Sequence, residues 1–233
     1  MVIGNGLLAR SLMKYDSEEI VFIAAGVSDS KCTEASEFDR ERRLVEGLVR
    51  AYPDKIMIFF STFSINDPVM QSNPYVKSKI GLEQYLVSHC SKYLIIRISN
   101  LVGEGGNPKT IFNFFFSQII SGNRFSLWAN SRRNLIMVDD FARVLGYILE
   151  YEIQDKMNTI FNIINTKSFS VHEIVKAIER HTGRRAKYDI VEIQSVPQPV
   201  DEYSEKIFNL LKIDTTDYLA GMLEKYFSKH KVV

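Results

Sequence analysis

The stretch NPYVKSK, residues 73 to 79, places Tyr75 four positions ahead of Lys79. On a helix that spacing is close to one turn, so a phenol and an ammonium share one face and converge on one small volume. The chemistry on offer is proton transfer. A free phenol titrates near pH 10, and a neighbouring ammonium favours phenolate and brings the group toward useful acid/base strength. With 11 tyrosines in 233 residues, roughly one such spacing arises by chance, so the pair gains weight only from its surroundings.

Two further runs supply them. Gly4-Asn5-Gly6-Leu7-Leu8-Ala9 is a GxGxxA sequence, in which glycines let a backbone approach a pyrophosphate and the following helix N-terminus stabilises its charge. A plain tight turn is the simpler alternative, but the run lies between an apolar strand and a helical pattern, which favours a nucleotide site. Ser61-Thr62-Phe63-Ser64 ends the apolar run KIMIFF, at the strand edge where open α/β sheets bind ligands. Hydroxyls there either face a substrate or merely open a turn.

The elements that must position these groups follow from periodicity. Residues 1–3 form a strand that runs into the glycine turn, and a helix begins at Leu7. IVFIAAG, residues 20–26, reads as a buried strand. Residues 36–52 place Phe38, Val45, Leu48, Val49 and Tyr52 on one helix face, with Asp39 to Arg43 largely opposite. Strand 55–60, a helix from Tyr75 to about Ser88 and the strand YLIIRI come next. The alternation predicts a parallel sheet covered by helices on both sides. Beyond Leu101 the expected elements are helix 110–120, the segment RFSLW, strand NLIMV, helix 140–151, strand TIFNII, helix 171–181 with a Ser170/Glu173 capping box, and helical pieces near 203–211 and 215–228.

Composition narrows the classes. Forty-five per cent of residues are apolar, enough for a substantial core. Lys and Arg number 29 against 28 Asp and Glu, so no general affinity for nucleic acid or anionic membrane is expected. No apolar stretch approaches the roughly 20 residues that cross a bilayer. Cys32 and Cys90 form no CxxC pair, and no charged-then-apolar leader opens the chain, which implies a reduced, cytoplasmic protein. His89, His172, His181 and His230 lack ligand spacing and imply no metal. Asp139 and Asp140, before an apolar helical run, read as an N-cap and first-turn charges. Arg132, Arg184 and Arg185 read as solvated.

Taken in order, the glycine turn, strand-end STFS, NPYVKSK with Glu83, RISNLVG and RRNLIMVDD resemble the extended short-chain dehydrogenase/reductase family of sugar-nucleotide epimerases, dehydratases and reductases, over nearly the whole chain. The resemblance implies Thr62, Tyr75 and Lys79 as the catalytic set, with Lys79 also holding a nicotinamide ribose. It implies NAD or NADP bound by Gly4, Asn5, Gly6, Leu7, Leu8, Ala24, Ala25, Gly26, Ser61, Tyr75 and Lys79. It assigns a nucleotide-sugar substrate to Thr62, Phe63, Asn100, Trp128 and Arg133. Arg133 would meet the diphosphate, for which guanidinium geometry suits, and Trp128 the nucleobase, with plain core as its alternative. The expected fold is a doubly wound, Rossmann-like parallel sheet trimmed of two strands, with residues 1–103 and 132–166 as nucleotide-binding core and 104–131 and 167–233 as a small substrate-binding lobe. Helices 36–52 and 75–88 would pair across a homodimer.

Two departures qualify the expectation. Only 13 residues separate Gly6 from Ile20, where the family places two further strands. Either IVFIAAG is the ordinary second strand, with Asp29 as ribose-binding acid, or it is the later Ala-Ala strand and the adenosine-side strands are missing. The order of the later elements favours the second register, and predicts a poorly enclosed adenine end with weak affinity. Phe63 and Ser64 stand where the dehydratase branch carries acids, and Asn66 and Asp67 where many epimerases have Tyr-Gly, leaving ketoreduction or 4-epimerisation in surface-polysaccharide supply. The rival readings are a catalytically silent sugar-nucleotide sensor or scaffold, and a dimeric interaction module.

Overall fold

The computed structural model describes residues 1–192 and 201–231; residues 193–200 and 232–233, within the range expected for the substrate lobe, lie outside the described residues. In chain order the first half contains β1 (Val2–Ile3), α1 (Leu7–Leu12), β2 (Ile20–Ile23), α2 (Ala35–Ala51), β3 (Ile56–Thr62), α3 (Pro74–His89), β4 (Tyr93–Ile98) and β5 (Asn100–Val102). The second half adds α4 (Ile111–Ser121), β6 (Arg124–Ala129), β7 (Arg132–Met137), α5 (Val138–Tyr147), β8 (Thr159–Ile163), β9 (Ser168–Ser170), α6 (Val171–Thr182), β10 (Lys187–Glu192), α7 (Glu202–Leu210) and α8 (Tyr218–Phe227).

The short apolar runs pair as a five-stranded parallel sheet in the order β1-β2-β3-β4-β8. All four residues of β2 are buried, as a strand covered on both faces requires. One face packs Phe22, Ile58, Phe60 and Ile96 against Leu12 of α1, Phe141 and Leu145 of α5 and Phe208 of α7. The opposite face packs Ile23, Phe59 and Ile95 against Val45 and Val49 of α2 and Leu82 and Leu86 of α3. A third core joins α4, α6, α8 and β6 through Phe112, Phe115, Ile174, Ile178, Leu127 and Met222.

Strand order decides between the two registers. In a doubly wound sheet the second strand and the strand beyond the switch point lie on opposite sides of the first. Among the described residues β1 pairs only with β2, and every later strand of the sheet follows on that same side. IVFIAAG therefore occupies the later Ala-Ala position, and Asp29 is not a ribose acid. Its carboxylate instead caps Lys31 N–H at 2.9 Å and pairs with Lys109 at 3.2 Å.

The second half departs from expectation at several points. RFSLW is a true strand, β6, paired in parallel with β10, and neither β10 nor β9 is signalled by periodicity. Helix α5 ends at Tyr147 and continues as a π-helical turn over Ile148–Glu152. Asp139 and Asp140 lie in the first turn of α5 but do not cap it, since Met137 is the N-cap residue. They hold α8 instead: Asp140 accepts the Tyr218 hydroxyl at 2.7 Å, and Asp139 pairs with Lys225 at 2.5 Å and accepts the Tyr226 hydroxyl at 3.1 Å. The Ser170/Glu173 capping box is present as the sequence implies. Arg184 is not simply solvated, because its guanidinium donates to the Ile120 carbonyl. Among the described residues no helix is long and apolar enough to cross a membrane, and no cluster of three metal-ligating side chains occurs.

Candidate active site

Local sequence sets Tyr75 in place. Asn73 is the N-cap of α3, its side-chain oxygen accepting the Tyr75 N–H at 2.9 Å, and Pro74 follows in the first turn, where a missing N–H costs nothing. The Asn73 amide also donates to the Ser30 carbonyl at 3.1 Å, tying the helix start to the loop after β2. Tyr75 is 9% exposed and packs with Val27 and Val76. No described residue hydrogen-bonds its hydroxyl.

One turn on, the Lys79 ammonium lies 5.7 Å from the centre of the Tyr75 ring and 5.2 Å from that of Phe59. It is not a free cation. Glu41 of α2, itself 2% exposed, accepts from Lys79 Nζ at 2.6 Å through one carboxylate oxygen and from Val27 N–H at 3.1 Å through the other. Glu41 therefore does not lie opposite the apolar face of α2, where the charged run Asp39 to Arg43 largely falls. The signal was present, because Glu41 precedes Val45 and Val49 by four and eight residues and so shares their core face. Breaking such a buried pair by removing one partner costs about 3–5 kcal/mol, since the other charge is stranded.

Thr62 closes β3 and caps the 3-10 turn Phe63–Asn66, its hydroxyl oxygen accepting Ser64 N–H at 3.2 Å. Its O–H proton remains available as a donor. Glu83 forms a two-point ion pair with Arg97 of β4, at 3.0 and 2.6 Å, which explains that part of the motif as a brace between α3 and the sheet rather than as chemistry. The Asn100 amide donates to the Asn134 carbonyl at 2.9 Å, so its nitrogen is committed to joining β5 and β7.

At the glycine turn, Gly4 adopts φ +132°, and a Cβ there would stand 2.6 Å from the Ala24 carbonyl oxygen. Gly6 has nothing within 4 Å of where its Cβ would lie. The two glycines thus differ: the first lets β1 and β2 close together, and the second leaves backbone open. Helix α1 has only six residues, so a phosphate would depend on the turn's backbone more than on a macrodipole. Arg10, which sequence reasoning did not single out, fastens this turn by donating to the carbonyls of Asn5, Glu104 and Gly105, each at 3.2 Å.

Every candidate residue except Gly4 lines one cleft of about 1190 Å3. It runs from Asn5, Gly6, Leu7 and Leu8, past Ala24, Ala25 and Gly26, to Ser61, Thr62, Phe63, Tyr75 and Lys79, and on to Asn100, Trp128 and Arg133. The volume exceeds the roughly 300–1,000 Å3 of a single small-ligand pocket. Trp128 is 42% exposed on the cleft wall, not core, with the Arg133 guanidinium 5.9 Å from its ring. Burial lowers the Arg133 guanidinium from its ordinary value, and the Asp67 carboxylate opposes that effect. Arg132 also lines the cleft, half exposed, and is not simply solvated, since its guanidinium donates to the Ser168 carbonyl.

Two hydroxyls on the cleft wall, Ser61 and Ser99, are buried without any hydrogen-bond partner. An unpaired buried polar group costs about 1–3 kcal/mol, and both of these side chains stand beside the cleft. Ser99, adjacent to Asn100 in RISNLVG, is another residue that sequence reasoning missed. The open backbone at Gly6, the orphaned hydroxyls and the unbonded phenol together fit a dinucleotide carrying ribose and phosphate groups.

A parallel sheet with a glycine turn and ligand cleft at the carboxyl ends of its strands defines a nucleotide-binding α/β fold. The chain belongs to the NAD dependent epimerase/dehydratase family, whose model matches residues 32–163. Among solved structures it is similar to UDP-glucuronic acid 4-epimerase from Bacillus cereus in complex with UDP-glucuronic acid and NAD, at 19% identity and TM-score 0.72, covering 94% of this chain and 76% of that one. It is also similar to UDP-glucose 4-epimerase from Thermus thermophilus in complex with NAD, at 17% identity and TM-score 0.67, covering 95% and 83%. A third is dTDP-glucose 4,6-dehydratase from Bacillus anthracis in complex with NAD, at 15% identity and TM-score 0.66, covering 96% and 77%. Comparison with curated protein sequences gives no match.

Proposed function

We propose that the protein is an NAD(P)-dependent epimerase or ketoreductase acting on a nucleoside-diphosphate sugar, serving surface-polysaccharide synthesis in the cytoplasm as a homodimer. The observation that carries the reading is the convergence of Thr62, Tyr75 and Lys79 on the cleft that the open Gly6 backbone also lines, with the phenol left free to exchange a proton. In this reading residues 1–103 and 132–166 hold the cofactor and 104–131 and 167–233 hold the sugar. NAD in the solved relatives named above supports that cofactor.

The nicotinamide, when bound, supplies hydride acceptance and return. Tyr75 takes the proton from the sugar hydroxyl as the carbinol carbon is oxidised, and gives it back when the carbonyl is reduced. Thr62 donates a hydrogen bond to the same oxygen and fixes its position. Lys79 presents N–H donors to the ribose beside the reacting ring. Arg133 offers a guanidinium fork to the diphosphate, and Trp128 a flat face to the nucleobase. Gly6, Ser61 and Ser99 complete the cofactor's polar contacts. Phe63 and Ser64, neither of them acidic, provide no second acid for dehydration.

Among the described residues the sheet ends at β1 and the adenosine side has no further strand, which supports micromolar or weaker dinucleotide affinity and gives the silent-sensor reading its one specific support. Comparing wild type with Tyr75→Phe on keto-sugar nucleotides separates the two. The enzyme reading expects a loss of about 10²–10⁴-fold in turnover with unchanged nucleotide affinity, and equal turnover would end it.

A further inference from the structure

The buried Glu41 carboxylate is not explained by stability, because a buried ion pair is often no better than an apolar replacement of the same volume. Its geometry is specific. One oxygen takes Lys79 Nζ at 2.6 Å and the other takes the Val27 N–H at 3.1 Å, so a single side chain joins α2, α3 and the loop that follows β2. The loop is shaped to admit it: a Cβ on Gly26 would stand 2.1 Å from one carboxylate oxygen. With the carboxylate in this position, residue 26 has no room for a Cβ. Lys79 has three N–H bonds and Glu41 accepts one; among the described residues nothing accepts the other two, and Lys79 lines the cleft.

We propose that Glu41 is a positioning residue that acts through Lys79, anchoring the ammonium by one N–H so that the remaining two are presented to vicinal hydroxyls of the bound dinucleotide's ribose. The inference rests on the dinucleotide reading of the cleft. Because the pair is neutral overall, Lys79 contributes direction more than net charge, and the lysine loses little rotamer freedom when ligand arrives. Gly26 follows as a spatial requirement of the same device, distinct from any direct contact it makes with a nucleotide.

The test is a double-mutant cycle in the full chain, with Glu41→Gln, Lys79→Met and the pair combined. NADH affinity is read by fluorescence titration, UDP-glucose affinity by calorimetry, and thermal midpoint in parallel. Glu41→Gln should weaken NADH about tenfold and leave UDP-glucose unchanged, and it should have no further effect on NADH once Lys79 is Met. Should Glu41→Gln fail to fold, Gly26→Ala displaces the carboxylate with both charges retained and should give the same split and the same dependence on Lys79. Equal weakening by Glu41→Gln in both backgrounds, or loss of both ligands together, overturns the positioning role while leaving the dinucleotide reading intact. A wild-type protein that binds no NADH overturns both.

Discussion

Gly4 and Gly6 belong to one motif, yet the structure predicts opposite consequences for the same substitution. Gly4→Ala puts a Cβ 2.6 Å from the Ala24 carbonyl oxygen and 2.8 Å from its carbon, at φ +132°. Both atoms are backbone, and the Ala24 N–H is pinned to the Ile3 carbonyl at 2.9 Å, so neither yields cheaply. Left-handed strain of about 1–3 kcal/mol and overpacking of similar size sum to about 2–6 kcal/mol of lost stability. Gly6→Ala meets nothing within 4 Å and adopts φ −74°, ψ −174°, where alanine is at ease. As the N-cap of α1 it should lose less than about 1 kcal/mol. Its methyl projects where a phosphate would approach, and loss of charge-assisted backbone hydrogen bonds worth about 1.5–3 kcal/mol corresponds to about 10- to 150-fold in affinity. Urea denaturation paired with NADH titration measures both quantities on each variant. The reasoning fails if Gly6→Ala binds NADH like wild type, or if it unfolds as early as Gly4→Ala.

Arg133→Ala should weaken a nucleoside-diphosphate sugar at least tenfold while leaving NADH affinity unchanged, as read by calorimetry. Burial pushes the Cys90 thiol up to about 11, so it should resist iodoacetamide at pH 8 in the native protein and react on unfolding, as mass spectrometry would show. Burial raises the Asp139 carboxyl, but Lys225 and Tyr226 hold it below its ordinary value overall. A depressed folded-state value means that its contribution is present above the unfolded value and disappears as pH falls through the folded one. Asp139→Asn should therefore lose under about 1 kcal/mol at pH 7, both partners being half in water, and the difference should begin to shrink below about pH 4 and vanish only as pH falls through the lower folded-state value in acid titrations of stability. Ser170→Ala removes the α6 cap and should cost about 1 kcal/mol by urea denaturation.

What could be read in advance was whatever lies close together along the chain. Asn73 and Pro74 fix where α3 begins, and so place Tyr75 in its first turn with Lys79 one turn later. Ser170 and Glu173 cap each other across three residues. The apolar runs of β2, β3 and β4 declare buried strands because a parallel sheet hides both faces, and the glycine turn declares itself by its position between strand and helix. These signals depend on backbone dihedrals and on side-chain period, which neighbouring residues set among themselves.

Tertiary structure alone decided the rest. Element order favoured one of two registers for IVFIAAG, and the placement of β3 and β4 on one side of β1 decides it. β10 has little apolar periodicity, and pairing with β6, some 60 residues earlier, makes it a strand. Asp139 and Asp140 carry the local signature of a helix cap, but the tyrosines and lysine of α8, 78 to 87 residues away, take their oxygens first. Glu41 shares the helix face of Val45 and Val49, which places it toward the core, but its partner Lys79 is 38 residues on. A buried charge is tolerated only beside its counter-ion, and which side chains become neighbours depends on how α2 and α3 meet over the sheet. No local pattern encodes that meeting.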